Sequence, residues 1–289
     1  MSEAEEKLGL PAGAFPFPSR FAFILGARLH YVDEGGGPLL LMVRGNPSWS
    51  YLYKGLIERL SGEFRCVAVD LAGFGLSTPP PNFSYLPEDH AKILASLIEA
   101  LDMQDATLIA HDWGGPIGVA AARSTGSRVA RLCLGNTWAW AVNGDFHFEW
   151  FSKLLGGPLG RWLATRYAVF VNVILPSSMK RRKITPDELA AFRAPFDGRQ
   201  SRKGMYVFPW AITGQGAWLA GLEPFVAGFE GPAHLIWPDG DIAFRSKELA
   251  RWRKLLPQAG VTPLAKCGHF LWLEAPDEAA AAVRGFLKN

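Results

Sequence analysis

Residues 107–118 read Thr-Leu-Ile-Ala-His-Asp-Trp-Gly-Gly-Pro-Ile-Gly. A short apolar run of strand-forming residues meets a turn of small residues, and a Gly- and Ala-rich stretch with helical character follows. This strand–turn–helix order is typical of a nucleophile elbow, in which a sharp turn lifts one side chain above the end of a parallel sheet. The nucleophile position holds Asp112, with Ala110 and Gly114 as the small residues on either side.

An aspartate at this position predicts a particular chemistry. A carboxylate is already ionised at neutral pH, so it needs no base to activate it. It can attack an sp³ carbon directly and leave a covalent alkyl ester. Asp is also a favoured helix N-cap, so Asp112 alone does not establish an elbow. With the segments described next, it favours an enzyme that opens carbon–halogen or epoxide bonds over an esterase.

Two further segments lie at fitting places in the chain. Residues 39–43 form an unbroken apolar run, as expected of a buried parallel strand, and the turn Arg44-Gly45-Asn46-Pro47 follows. Residues 234–237 predict a second strand, followed by a loop that contains Asp239 and Asp241. His269 comes later, after Gly268 and before the last predicted helix. Nucleophile, acid and then histidine is one of the known orders of such a catalytic set.

The chain resembles the haloalkane dehalogenases, a family of the α/β-hydrolase superfamily, over almost its whole length. The resemblance rests on residues 15–21, 30–35, 45–52, 70–77, 107–118, 135–138, 241–244 and 268–271. It implies the α/β class and the α/β-hydrolase fold, a mostly parallel sheet flanked by helices with an inserted helical cap.

The resemblance also assigns roles to residues. Asp112 is the expected nucleophile and His269 the expected base. The family divides by where the acid and the second halide ligand lie. Because Asn136 is not acidic, the acid is expected at Asp241 and the second halide ligand at Asn46, a combination that resembles the third subfamily.

The expected reaction has two steps. Asp112 displaces halide from carbon, while the indole N–H of Trp113 and the amide N–H of Asn46 hold the departing anion. His269 then activates water to hydrolyse the ester, with Asp241 fixing its tautomer and the backbone amides of Asn46 and Trp113 holding the oxyanion. The implied partners are a small apolar halogenated substrate, water and a halide ion. No cofactor is expected, and the six histidines lack metal-ligand spacing.

Some positions depart from the family pattern. Related sequences usually have His where this chain has Arg44, a larger and permanently charged side chain. It is expected to distort the loop or to require a buried acidic partner. Two alternatives stay open: an epoxide hydrolase, with Tyr167 and Tyr206 as acids for the epoxide oxygen, or a drifted, non-catalytic ligand-binding homologue, which Arg44 would suit.

The predicted organisation is core, cap, core. Residues 1–136 and 213–289 are expected to form the α/β core, and 137–212 the helical cap. Strands are predicted at about 21–25, 28–33, 39–43, 65–69, 106–110, 131–134, 233–237 and 261–265, with a closing helix at 277–287. Some of the cap aromatics should face the carboxylate, since an apolar pocket with few polar groups suits a haloalkane. These aromatics are Trp138, Trp140, Phe146, Phe148, Trp150, Phe151, Trp162, Tyr167 and Phe170.

Composition agrees with one globular catalytic unit. The 289 residues are 49% hydrophobic and carry a net charge of +3, which does not indicate a nucleic-acid partner. No apolar run is long enough to predict a membrane span, and the acidic N-terminus lacks a signal-peptide core. The three cysteines show no disulfide spacing. A cytoplasmic location is expected, with a homo-oligomer left open.

Overall fold

The computed structural model describes residues 1–199 and 201–288. In these residues the chain forms one eight-stranded sheet with strand order β1-β2-β4-β3-β5-β6-β7-β8. The strands are β1 (Arg20–Ile24), β2 (Ala27–Glu34), β3 (Leu39–Val43), β4 (Arg65–Val69), β5 (Ala106–Asp112), β6 (Val129–Thr137), β7 (Ala233–Pro238) and β8 (Gly260–Leu264). β2 pairs antiparallel with β1 and β4, and the remaining pairs are parallel.

All eight predicted strands are present. β3 and β4 have the predicted bounds, whereas β5 and β6 are longer than predicted. The extra residues pair with each other, because Asp112 at the end of β5 lies opposite Thr137 at the end of β6, after a register shift. Periodicity could not indicate this extension, since polar residues occupy it.

Helices cover the sheet and build the cap. They are α1 (Glu3–Leu8), α2 (Lys54–Leu60), α3 (Pro87–Ala100), α4 (Gly114–Thr125), α5 (Phe146–Gly156), α6 (Pro158–Tyr167), α7 (Leu175–Ser178), α8 (Pro186–Arg193), α9 (Lys203–Gly214), α10 (Gly216–Ala220), α11 (Glu223–Ala227), α12 (Ser246–Leu255), α13 (Leu271–Glu274) and α14 (Pro276–Lys288). α3 packs against α4, and α2 packs against α14.

The helices α5–α9 lie between β6 and β7 in the chain and form the cap. α5 packs against both α6 and α9. β6 ends at Thr137 and α9 ends at Gly214, near the predicted limits of 137 and 212, although the division into core and cap stays a prediction.

The sheet brings distant parts of the sequence to one edge. Ligands of open α/β sheets bind outside the carboxyl ends of the parallel strands. Asn46 follows the end of β3, Asp112 is the last residue of β5, and Asn136 lies next to the end of β6. The loops after β7 and β8 carry Asp241 and His269. Among the described residues, no helix has the length and apolar character needed to cross a bilayer.

Candidate active site

Asp112 occupies a sharp turn between β5 and α4. Its φ is +50°, the left-handed region that costs a non-glycine residue energy and that often marks a functional position. The turn also requires close packing: a Cβ on Gly114 would collide with the carbonyl of Val43, and one on Gly115 with Oγ1 of Thr137. That hydroxyl donates to the carbonyl of Asp112 at 2.5 Å. The elbow glycines are therefore needed for close approach.

One oxygen of the Asp112 carboxylate is held by the backbone. Oδ1 accepts the N–H of Asn46 at 2.8 Å, and the Trp113 amide also bonds the carboxylate. A Cβ on Gly45 would collide with both Oδ1 of Asp112 and the nitrogen of Trp113. Burial raises the pKa of Asp112, although His269 and the two amides oppose this effect. These two amides are the ones predicted to hold an oxyanion.

His269 lies between two carboxylates. Its Nδ1 is 2.8 Å from Oδ2 of Asp241, and its Nε2 is 3.9 Å from Oδ2 of Asp112. Burial acts to lower the pKa of His269, but the negative charges of Asp241 and Asp112 outweigh it and raise the pKa. Asp239, two residues earlier in the sequence, does not contact His269; its carboxylate accepts the N–H of Lys266 at 2.6 Å. The structure thus brings together Asp112, Asp241 and His269, the three residues predicted from the sequence.

A clamp on the His269 backbone was missed by the sequence reasoning. The carbonyl of His269 accepts from Nε2 of His111 at 2.9 Å and from Nδ2 of Asn136 at 2.8 Å. Asn136 has a φ of +47° and also donates to Gly268 at 3.1 Å. The signal for this role is the position of Asn136 directly after a buried apolar run, whereas the family pattern bears only on whether that position holds an acid.

Glu274 joins the His269 loop to the cap. This buried carboxylate accepts the N–H of Gly268 at 3.0 Å. Its other oxygen accepts the N–H groups of Lys180 and Arg181, each at 2.7 Å. The N–H of His269 donates to Ser178, at the end of α7, at 3.0 Å. The histidine loop is therefore fixed from both the core and the cap, and no sequence pattern indicated this link.

A cavity of about 120 Å³ lies between Asp112 and the cap. It is mostly apolar and is lined by Asn46, Pro47, Asp112, Trp113, Trp138, His147, Phe148, Phe151, Phe170, Ile174, Ser178, Pro209, Ile212, Asp241, Ile242, Ala243, Phe244, His269 and Phe270. Four of the predicted aromatics face it: Trp138, Phe148, Phe151 and Phe170. Most of the others, including Phe146, Trp150, Trp162 and Tyr167, are exposed on the outside of the cap.

Both predicted halide donors line this cavity. Nδ2 of Asn46 donates to the carbonyl of Met205 on α9 at 3.2 Å, which leaves its second hydrogen for another acceptor. Nε1 of Trp113 has no acceptor among the described residues. The Trp113 ring stands edge-on to Trp138, with centroids 4.6 Å apart. Two uncharged N–H donors can therefore serve one anion in the cavity.

Arg44 does not behave as expected. The loop is not distorted, since the Asn46 amide reaches Asp112. Nor does a carboxylate in the described part of the chain form an ion pair with Arg44, although Asp70 and Asp112 attract its charge. Burial lowers the pKa of Arg44 to about 10, so it stays protonated at neutral pH. The guanidinium instead lies over the Phe74 ring, 4.4 Å from its centroid.

The acids needed for epoxide opening are not at the cavity. Tyr167 is 49% exposed, and the ring of Tyr206 packs under Arg161, 5.0 Å away. No tyrosine of residues 1–199 and 201–288 lines the cavity. Within the same ranges, no group of His, Cys, Asp and Glu is arranged to hold a metal ion.

Comparison with known proteins assigns the family. Residues 38–276 match the family described as alpha/beta hydrolase fold. The chain is 35% identical over 272 residues to haloalkane dehalogenase 2 of Mycobacterium tuberculosis, which covers 93% of this chain and 94% of that protein. The chain belongs to the haloalkane dehalogenase family. Both the predicted family and the predicted α/β-hydrolase fold are thereby confirmed.

Two further similarities bear on this dehalogenase family member. The crystal structure of haloalkane dehalogenase DbeA from Bradyrhizobium elkani matches it with a TM-score of 0.85 at 25% identity, over 94% of this chain and 98% of that chain. A relative from Shewanella oneidensis has another name, cis-3-alkyl-4-alkyloxetan-2-one decarboxylase. It is 29% identical over 294 residues, 94% of this chain and 89% of that protein.

Proposed function

We propose that this haloalkane dehalogenase family member hydrolyses small haloalkanes to an alcohol and a halide ion. One observation carries the proposal. A single cavity combines the Asp112 carboxylate, the His269–Asp241 pair and the side-chain N–H donors of Asn46 and Trp113. A free carboxylate oxygen facing apolar space suits attack on carbon, and donors without charge suit a departing halide.

The first step forms an ester. The Oδ2 lone pair of Asp112 bonds to the carbon, and the carbon–halogen electron pair leaves with the halide. The amide of Asn46 keeps Oδ1 fixed at 2.8 Å, so the other oxygen is oriented toward the substrate. Each hydrogen bond to the charged halide contributes about 1.5–3 kcal/mol.

The second step uses His269 and water. Nε2 of His269 takes one proton from water while the water oxygen attacks the ester carbonyl. The tetrahedral intermediate then breaks its bond to the alkoxide, which takes the proton back from the imidazolium and leaves as the alcohol. Asp112 is regenerated as a carboxylate when the second proton of the water is lost to solvent. Oδ1, now the oxyanion, is held by the Asn46 and Trp113 amides. Asp241 stabilises the imidazolium, as the third member of such a triad does. The carbonyl clamp from His111 and Asn136 keeps the ring oriented during this exchange.

The cavity suggests the substrate class. Its volume is about 120 Å³, whereas a cavity needs about 10–15 Å³ to hold one water. Phe148, Phe151 and Phe170 make its walls apolar, which suits a short haloalkane. We therefore propose short-chain bromo- and chloroalkanes as substrates, with water as co-substrate and halide as a transient ligand.

The Shewanella relative motivates a second candidate, decarboxylation of an oxetan-2-one. The name of that relative specifies alkyl groups at two ring positions. The cavity places the uncharged N–H donors of Asn46 and Trp113 beside Asp112, and such donors suit a departing halide. The dehalogenase proposal is therefore preferred, and a small dialkyl oxetan-2-one belongs in the substrate panel as its competitor.

Halide release from a panel of bromoalkanes tests the proposal. Wild type should release bromide from at least one short member, and Asp112→Ala should release none. Asp105→Ala is a matched control, because Asp105 also has a positive φ, +51°, but lies on the surface paired with Arg131. No bromide release by wild type, or carbon dioxide release from the oxetan-2-one instead, would overturn it.

We also propose a cytoplasmic site of action, with neither a membrane nor a nucleic acid as partner. Cys66, Cys133 and Cys267 are free and buried, which suits a reducing compartment. Self-association in solution stays open as a prediction.

A further inference from the structure

Arg44 is a buried cation with few partners. It is 0% exposed, and its Nη1 donates to the carbonyl of Gly45 at 2.8 Å. Its Nε and Nη2 have no acceptor among the described residues. Burying a charge without a direct ion pair is costly. The residues that surround Arg44 should therefore indicate why a charged side chain is buried at this position.

A column of aromatic rings connects Arg44 to the halide site. The guanidinium lies 4.4 Å from the centroid of Phe74. Phe74 stacks on Phe208, with centroids 5.4 Å apart and planes inclined by 12°. Phe208 in turn stacks on Trp113 at 5.3 Å and 19°. The ring that presents Nε1–H to the cavity is thus the last of three stacked rings that begin under the cation.

The second halide donor is also linked to Arg44. The Gly45 carbonyl that accepts from Arg44 belongs to the residue directly before Asn46. Asn46 is further held by Met205, which lies on α9 one turn before Phe208. Arg44 therefore contacts both supports of the site: the turn that carries Asn46, and the ring column that reaches Trp113 through α9.

Charge gives the arrangement a further consequence. Attraction acts between Arg44 and Asp112 in the resting enzyme. When Asp112 becomes an ester, its negative charge is gone and the halide carries the charge of the site. A buried cation acts over a longer range than an exposed one, because little water screens it. Arg44 then attracts the halide in place of the carboxylate.

Resting on the proposed dehalogenase function, we propose that Arg44 is a positioning residue for halide binding. It holds the Gly45–Asn46 turn and the Phe74–Phe208–Trp113 column so that the two N–H donors meet at one anion. Its charge also favours the halide-bound state.

Quenching of tryptophan fluorescence by bromide tests this role. Arg44→Met keeps an unbranched apolar stem and removes the charged guanidinium, so its bromide affinity should fall about tenfold, within the range of a desolvated cation–π contact. The melting temperature should not fall, because removal of an unpaired buried cation relieves a desolvation cost. Arg44→Lys keeps a cation over Phe74 and should retain most of the affinity. Trp113→Phe, which loses the indole donor, calibrates the loss.

A second pair of variants keeps the test decisive if Arg44→Met does not fold. Phe74→Leu interrupts the column and should also weaken bromide binding, whereas Phe64→Leu should not. Phe64 is a buried ring directly before β4 and makes no ring contact with Phe74, Phe208 or Trp113 among the described residues. Wild-type bromide affinity in Arg44→Met, or in Phe74→Leu, overturns the inference. If wild type itself neither binds bromide nor releases it from bromoalkanes, the proposed function fails instead.

Discussion

Oδ2 of Asp241 lies 2.8 Å from Nδ1 of His269, and the other oxygen of the same carboxylate accepts the N–H of Ala243 at 2.7 Å. The Asp241 side chain is 0% exposed. Because the carboxylate is buried, water screens its charge little, and the charge acts strongly on the imidazole of His269. This geometry distinguishes Asp241 from Asp239, which is only two residues away in the sequence.

The first prediction concerns the acid. Asp241→Asn keeps the shape of the side chain but removes its charge, so ester hydrolysis should fall by orders of magnitude, about 10⁴-fold for a triad acid. One equivalent of halide should still be released per enzyme, since Asp112 is intact. Asp239→Asn is the control and should stay near the wild-type rate. If Asp239→Asn proved the damaging change, the assignment would be wrong. Steady-state and burst kinetics of bromide release provide the measurement.

The second prediction concerns the covalent intermediate. In the proposed reaction His269 activates water only in the second step, and its Nε2 lies 3.9 Å from Oδ2 of Asp112. His269→Ala should therefore complete the first step with 1,2-dibromoethane and then stall. Intact-protein mass spectrometry should show one bromoethyl group per chain, located on Asp112 after proteolysis. The double variant that also carries Asp112→Ala should show none. If no adduct forms on folded His269→Ala although wild type turns 1,2-dibromoethane over, either the ester route or the assignment of His269 as the base is wrong.

Much of this site could be predicted from the sequence because its residues occur at strand ends. β3 and residues 66–69 of β4 are unbroken apolar runs, and the turns after parallel strands meet at one edge of a sheet. Asp112, Asp241 and His269 each follow such a run or lie in a loop before a helix. Local pattern and strand order therefore suffice to place them.

The supports of the site could not be predicted in the same way. Asn136 acts through its amide on a loop 133 residues later, and Glu274 bonds backbone amides of the cap. These contacts depend on how loops approach one another, which periodicity does not encode. The same limit applies to Arg44, for which the sequence predicts either a distorted loop or a buried acidic partner. Its observed partner is the ring of Phe74, and no spacing rule connects the two.

The third prediction concerns pH. His269 must be neutral to accept a proton from water, and its pKa is raised above the ordinary 6.5 by Asp241 and Asp112 against the opposing effect of burial. Ester hydrolysis should therefore decline as pH falls through the pKa that His269 has in the ester intermediate, where Asp241 still raises it. Because Asp112 is neutral as an ester, the pKa of His269 in the intermediate should lie below its pKa in the free enzyme. Asp241→Asn should move it lower still. The measurement is the single-turnover rate of ester hydrolysis against pH. If Asp241→Asn has the same pH dependence as wild type, Asp241 does not raise the pKa of His269.

The last prediction concerns His147, the titratable group of the cavity lining that lies outside the Asp112–Asp241–His269 set. Burial, with the nearby charge of Arg245, lowers its pKa, so at neutral pH the imidazole is uncharged and can donate or accept one hydrogen bond.

The hydroxyl of Ser178, another polar group of the cavity lining, already donates to the carbonyl of Ile174 at 2.6 Å. A haloalkane with a terminal hydroxyl should therefore be recognised through His147. His147→Phe should lower kcat/KM for 3-bromopropan-1-ol about two- to tenfold, the value of one hydrogen bond, and leave 1-bromobutane nearly unchanged. His147→Gln, which retains a donor and an acceptor, should recover most of the loss. Equal losses on both substrates would mean that His147 only shapes the cavity wall.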